Sequence, residues 1–335
     1  MATLDIFNDD AFSVTSLSEV ITDIPDVPTK LGDKGIFVEE GISTTVFMIE
    51  RQGSSLKIIP VAPRGGVGEP VALGPRKMFP LALFHIPETW SVLADEVQGI
   101  RAVGSETEVM QVSDLVQGKL AAVKGNMDLT HEWQRVGAVK GLIKDADGSN
   151  LLDLYDAFGM TQPTAFWDLA NTSVDPKDKG IELKFAMKGK LGGRPFTGIR
   201  IICSLSFFTA FIKNANIKKA WDLWNAGQFY RDDQTDADFV FLKNITLEIY
   251  DGTVGNTDFI EDGFAYAYPE GVPRLFQSKY APADYMDTVN RKGLPFYAVQ
   301  EPMPFNKGVK GEAQSNPLHF CTLPETVFKI SAAAS

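Results

Sequence analysis

The chain has 335 residues, 44% hydrophobic and 22% charged, and 32 basic against 43 acidic side chains leave a net charge of −11. That length suggests about two domains of ordinary globular composition, and the acidic balance argues against a protein that grips nucleic acid as a whole. Only Cys203 and Cys321 are present, with no CxxC spacing, so neither a disulfide framework nor a zinc site is indicated. The start, MATLDIFNDD, carries no basic segment followed by an apolar one, and no run of 18 apolar residues offers a spanning helix. The expectation is a soluble intracellular product with no membrane partner.

Residues 1–40 combine acidic side chains with turn formers, among them Pro25, Pro28, Gly32 and Gly35. Ser16 to Ile21 predicts a short helix. The rest is expected to be an extended arm, either floppy or laid on another subunit, because alone it buries too little apolar surface to offset its ordering entropy. Ile42 to Glu50 is rich in β-branched and aromatic residues, Gln52-Gly53-Ser54 supplies a turn, and Leu56 to Val61 returns as a second strand. The following stretch, Pro63 to Pro75, is too rich in Gly and Pro for regular structure. Both faces of this hairpin are apolar, so it is a candidate projecting loop, with Val46, Met48, Leu56, Ile58 and Arg64 as candidate subunit contacts. An edge hairpin of a compact sheet is the alternative.

Leu81 to Ile86 is apolar, and Pro87 is expected to open a short helix reaching about Ile100. Ser105 to Ile143 is the stretch around which the chain is organised. Ser105 and Glu108 form a capping box, and Val109, Val112, Val116, Leu120, Val123 and Met127 recur at helical intervals, continued by Leu129, Trp133, Val136, Val139 and Ile143. A helix of roughly 35 residues would span on the order of 50 Å. Gly118, Gly125 and Gly137 each cost it about 1 kcal/mol relative to Ala, so packing must hold it along its length. Two helices broken near Gly125 are the alternative.

Beyond it, Lys144 to Gly148 forms a hairpin turn, Asp175-Pro176 opens a helix that ends at Gly192-Gly193, and Ile199 to Cys203 is a short buried strand. Ser206 to Asn214 and Ile217 to Ala226 read as helices, and Phe239 to Tyr250 alternates as a strand does. Phe264 to Tyr268 and Tyr297 to Glu301 are strands, Leu275 to Asn290 is mixed, and Pro317 to Ile330 is a strand pair split near Pro324. The order is arm, hairpin, long helix and α+β segment, without internal repeat.

Catalytic chemistry has little material. His85, His131 and His319 are the only histidines; none has a second His or Cys at metal-ligand spacing, and structural roles are expected for His85 and His131. GxSxG, HExxH and GxxxxGK[ST] are absent. Arg64 to Gly68 lacks the Lys-Ser/Thr and the helix that a phosphate loop needs. The pairs Glu39-Glu40 and Asp232-Asp233 are expected to be solvated turns, and Cys203 a small core hydrophobe. One asymmetry stands out. Pro176 to Ala220 holds ten Lys and Arg against two Asp and Glu, a surplus of +8 that leaves −19 for the rest of a chain at −11. The segment suits contact with acidic faces of neighbouring copies, a nucleic acid, or plain solvent. Lys184, Lys188 and Lys190 are its best contact candidates.

Five stretches near the C-terminus carry a resemblance: Phe259 to Phe264 (FIEDGF), Arg274 to Tyr280 (RLFQSKY), Gly293 to Tyr297 (GLPFY), Gln300 to Pro304 (QEPMP) and Gln314 to Leu318 (QSNPL). Together with Pro324-Glu325, Asp10 to Ser13 and Gly41 to Thr45, their order resembles the major capsid proteins of tailed bacteriophages, the lambda E-type family, over nearly the whole chain. The resemblance implies the Hong Kong 97-like α+β fold, also found in encapsulins and herpesvirus capsids. It implies an N-terminal arm (1–40), an extended hairpin loop (41–84), a peripheral domain (85–160) with spine helix 105–143, a mainly axial domain (161–300) and return strands (301–335). The function it implies is a structural subunit that self-assembles, as hexamers and pentamers, into the icosahedral head enclosing double-stranded phage DNA. The DNA would be packaged without specific binding, since acidic walls repel phosphates. A separate scaffolding protein and a portal are expected, with decoration proteins left open; no enzyme activity and no cofactor are implied. An encapsulin-like compartment is the alternative, and an unrelated α+β enzyme a third reading that the scarcity of histidine disfavours. The expected location is the virion, after assembly in the host cytoplasm.

Overall fold

The computed structural model describes residues 13–24, 29–52, 76–97, 108–228, 238–254 and 257–333. They fall into two compact units. Unit 1 comprises Met1–Met48, Pro80–Arg135 and Gln277–His319, and unit 2 comprises Ile49–Phe79, Val136–Phe276 and Phe320–Ser335.

In chain order, α1 (Val14–Asp23) begins where the Ser13 hydroxyl accepts the Ser16 amide, a standard side-chain cap. The short α2 (Lys30–Asp33), β1 (Phe37–Gly41), β2 (Val46–Gln52), β3 (Arg76–Ala82), β4 (Ile86–Leu93) and α3 (Ala94–Val97) follow. Helix α4 (Glu108–Lys140) runs 33 residues without interruption, which removes the two-helix alternative. Its expected capping box at Ser105 lies outside the described residues. It stops at Gly141, whose φ of +80° is the left-handed conformation that ends helices; a side chain there would strike the Tyr155 ring. Then come β5 (Leu142–Lys144), β6 (Asn150–Asp153), α5 (Leu154–Ala157), β7 (Thr164–Phe166), α6 (Pro176–Lys190), β8 (Gly198–Cys203), α7 (Leu205–Lys213), α8 (Ala215–Gln228) and β9 (Asp238–Leu242). The chain closes with β10 (Ile245–Ile249), β11 (Thr253–Val254), β12 (Thr257–Asp258), β13 (Phe264–Glu270), β14 (Phe276–Tyr280), β15 (Tyr297–Pro302), β16 (Gly308–Ser315), β17 (Pro317–Cys321) and β18 (Phe328–Ser331).

In unit 1 an antiparallel sheet of order β15-β16-β4 packs against one side of α4. Trp90 and Val92 of β4 and Ala298 and Ala313 of the neighbouring strands meet Val116, Leu120, Val123 and Met127 of the helix. Gly311, opposite Trp90 in the register, leaves room for the indole, since any Cβ would collide with it. Two sequence expectations are corrected here. Pro87 does not open a helix: it sits in β4, paired with Gln314, and β4 is an edge strand, where a proline leaves no ladder bond unmade. Nor is the chain from Ser13 onward an arm without a core. Leu17 and Ile21 of α1 are buried in the same cluster. The Glu132 carboxylate accepts the Leu31 and Gly32 amides at 2.6 and 3.1 Å, fixing α2 on α4. Amphipathic α1 buries its apolar stripe within its own unit, which the acidic composition around it concealed.

In unit 2 a six-stranded sheet of order β7-β18-β13-β8-β10-β9 is built around β8. All but one of its residues are buried, as expected of a strand covered on both faces. It runs parallel to β10 and antiparallel to β13. One face receives α6 through Leu183 and Met187 and α7 through Phe207 and Phe211, with Trp167 in the same cluster. The stretch read as one alternating strand, Phe239 to Tyr250, is two: Asn244 takes φ +65° between β9 and β10, and the pair is antiparallel. Among the described residues β2 pairs with β3; the expected return strand, Leu56 to Val61, lies outside them.

Candidate functional site

The histidines were the first candidates for chemistry, and the fold removes two of them from solvent. His131 of α4 and His319 of β17 are both buried, with ring centroids 5.4 Å apart. His131 stacks on Phe296 and its Nε2 lies 2.8 Å from Ser315 Oγ, while His319 Nδ1 lies 2.7 Å from Ser278 Oγ. Burial, reinforced by the Arg135 and Lys124 cations, pushes His131 down to about 3. His319 is likewise held well below its ordinary value by burial, then by His131 and Arg135. Both rings are therefore neutral core members without access to a substrate. His85 pairs through Nδ1 with Asn316 Oδ1 at 2.8 Å.

Other ionisable groups are engaged in holding elements. Lys140, at the end of α4, reaches Glu261 Oε1 at 2.5 Å and the Phe259 carbonyl at 3.2 Å, and Tyr266 donates to the other oxygen of Glu261. Burial lowers the Lys140 ammonium, which the carboxylate beside it partly offsets. Arg200 spans Glu248 and Glu270 across the sheet of unit 2, so one of the ten cations in the basic segment is spent inside the fold. Glu39 and Glu40 are not merely solvated turns, since Arg135 and Lys279 meet them. The Asp232-Asp233 pair lies outside the described residues. Cys203 and Cys321 are buried thiols, and no cluster of three or more His, Cys, Asp or Glu suited to a metal occurs among the described residues.

What remains is surface. Val46 and Met48 are exposed on one face of β2, and Met78 of its partner strand is 60% exposed. Leu56, Ile58 and Arg64 lie outside the described residues. Lys184, Lys188 and Lys190 are all exposed on α6, whose start is fixed by the Asp175 carboxylate accepting the Lys177 amide at 2.9 Å. The same helix shows Ile181 and Phe185, the latter 69% exposed. Four residues apart, they form an apolar pair on the outward face, opposite buried Leu183 and Met187. Sequence reasoning took the lysines and passed over this pair. The signal was present: apolar residues on both faces of a helix that needs only one.

The family model described as phage major capsid protein E matches residues 13–332. The chain belongs to the phage major capsid protein E family. The major capsid protein of Salmonella phage Felix O1 is 22% identical over 356 residues, covering 96% of this chain and 97% of that protein. That of Pseudomonas phage KPP10 is 23% identical over 346 residues with the same shares. A chain from an Escherichia coli CFT073 prophage, described as a capsid protein, superposes with a TM-score of 0.56 at 12% identity, over 96% of this chain and 99% of its own. The capsid of Ralstonia phage GP4 gives 0.52 at 9% identity, over 98% and 91%. At such identities the structures speak for the fold alone, which is the Hong Kong 97-like α+β capsid fold. For a phage major capsid protein the exposed apolar side chains on α6 and β2 are the natural places to look for function.

Proposed function

We propose that this chain is the building block of an icosahedral head, associating with its own copies as hexamers and pentamers around double-stranded DNA that it does not bind specifically. The observation that carries this is the family match over almost all of the described chain; both curated relatives named above are phage major capsid proteins, and neither favours the encapsulin-like compartment. Its role is structural and not enzymatic, in keeping with the family match and with His131 and His319 sealed in a core. The β2–β3 hairpin serves as the extended loop, with Val46, Met48, Leu56, Ile58 and Arg64 in subunit contacts, and residues 161–300 supply most of the axial domain. Lys184, Lys188 and Lys190 face carboxylates of adjacent copies, favoured by the −19 remainder of the chain. A separate scaffolding protein and a portal complete assembly in the host cytoplasm, and the finished subunit resides in the virion. Negative-stain microscopy of the overexpressed chain tests this: closed shells, sheets or tubes are expected, and a small monodisperse particle would refute it. Protein cargo in place of nuclease-protected DNA in infected-cell shells would restore the compartment reading.

A further inference from the structure

The turn between β15 and β16 is shaped in a way the subunit's own core does not require. Phe305 is 93% exposed and takes φ +62°, and Asn306 follows at +56°. A bulky side chain in the left-handed region is a backbone outlier that costs energy, and full exposure of the ring recovers none of it. The tip is also held in place. Met303 N donates to Gly308 O at 2.9 Å, Asn306 N to Met303 O at 3.2 Å, and Ala94 N to Lys307 O at 3.0 Å. Phe305 is thus fixed outward and cannot fold back onto its own sheet.

Beside the tip, within the same unit, lies a groove of about 460 Å³ lined by Trp90, Ser91, Lys119, Ala122, Val123 and Met303. Trp90 is buried against α4, and its indole N–H has no hydrogen-bond partner. Knob and groove therefore adjoin, with Met303 belonging to both. Such an arrangement is self-complementary: each copy offers one tip and receives one, which closes a symmetric contact without leaving a knob unused.

We propose that the Phe305 tip of one copy inserts into the groove between α4 and β4 of a second copy. The ring packs over Ala122 and Val123 beside the Trp90 indole, with Glu88 and Lys119 of the groove lining around it. The occupant is a second copy because the chain is a capsid subunit whose function is association with itself, and the proposal rests on that reading.

The full-length chain provides the test. Shell formation by the natural chain is measured first; its absence would sink the capsid reading itself, independently of the tip. Phe305→Gly is the informative variant, since glycine adopts positive φ freely and the subunit should melt at the same or a higher temperature. Its shell yield should fall about tenfold or more, equivalent to about 1.4 kcal/mol. Ala122→Trp, which fills the groove from an exposed helix position, should give the same loss. Normal shells from either variant overturn the proposal, and so does a lowered melting temperature for Phe305→Gly, which would place the ring in the subunit's own fold. In shells formed by mixing the natural chain with a Phe305→Cys/Ala122→Cys variant, oxidation should yield disulfide-linked dimers that neither single variant gives. Shells without such dimers also overturn it.

Discussion

Two neutral histidines sealed in the core of unit 1 tie its stability to pH. In the unfolded chain each would titrate near 6.5, whereas His131 is held down to about 3 and His319 well below its ordinary value. Folded pKa values below the unfolded ones mean that the stabilisation is complete above about pH 6.5 and is lost as pH falls toward 3. One such group contributes at most about 1.4 kcal/mol per pH unit, so His131 alone should cost the fold about 2 kcal/mol between pH 7 and pH 5, and His319 acts in the same direction. Urea unfolding of the unassembled subunit at the two pH values measures this, and His319→Phe should reduce the slope. A flat profile between pH 7 and 5 would contradict the burial of both rings in the neutral form. Carboxylates held low, such as Glu261 beside Lys140, weigh in only under more acidic conditions.

At the scale of elements, α4 shows how one residue type serves opposite ends. Gly118 is exposed, with nothing near its missing side chain, whereas a Cβ on Gly137 would meet Ile143 Cα at 3.0 Å and the Leu142 carbonyl at 3.1 Å. Gly118→Ala should therefore stabilise the subunit by about 0.5–1 kcal/mol, the helix-propensity difference. Gly137→Ala should destabilise it, because backbone atoms of the hairpin that follows cannot yield as a flexible side chain can. Differential scanning calorimetry of the two variants distinguishes them; a gain at both sites would mean that α4 is held less closely at its C-terminal end than the geometry shows. Element α1 makes the second case. Ile21 is fully buried among Leu17, Leu120 and their neighbours, so Ile21→Ala should cost about 2–4 kcal/mol. A free arm would register almost nothing in the same urea titration.

For the whole molecule the question is which forces join copies. Exposed ion pairs contribute about 0–1 kcal/mol each, while burying a phenylalanine ring contributes about 1.5–3 kcal/mol. On α6 the apolar pair should therefore outweigh the lysines around it. Phe185→Asp is expected to reduce shell yield more than Lys184→Glu and Lys188→Glu together, and moderate salt should leave assembly of the natural chain unchanged or strengthen it. Assembly that weakens steeply with salt, read by sedimentation, would return the leading role to the charges.

The sequence alone determined whatever depends on local periodicity and capping. The long helix, the Asp175-Pro176 start of α6, the helix expected from Ser206 to Asn214 and the apolar strand β8 follow from side-chain spacing within a few turns. The capsid fold was implied by the resemblance that stretches such as Phe259 to Phe264 and Arg274 to Tyr280 carry. Tertiary structure decided what depends on partners distant in the chain. That β2 pairs with β3, that Pro87 sits on a sheet edge, and that His131 meets His319 across 188 positions of sequence are matters of which segments come together. So is the shape of the Phe305 tip. Its left-handed backbone is set by hydrogen bonds across the β15–β16 turn and to α3, none of which a run reading Met-Pro-Phe-Asn-Lys announces. Local patterns specify faces and ends; only packing specifies which faces remain uncovered, and in a subunit built to join its own copies those uncovered faces are where function resides.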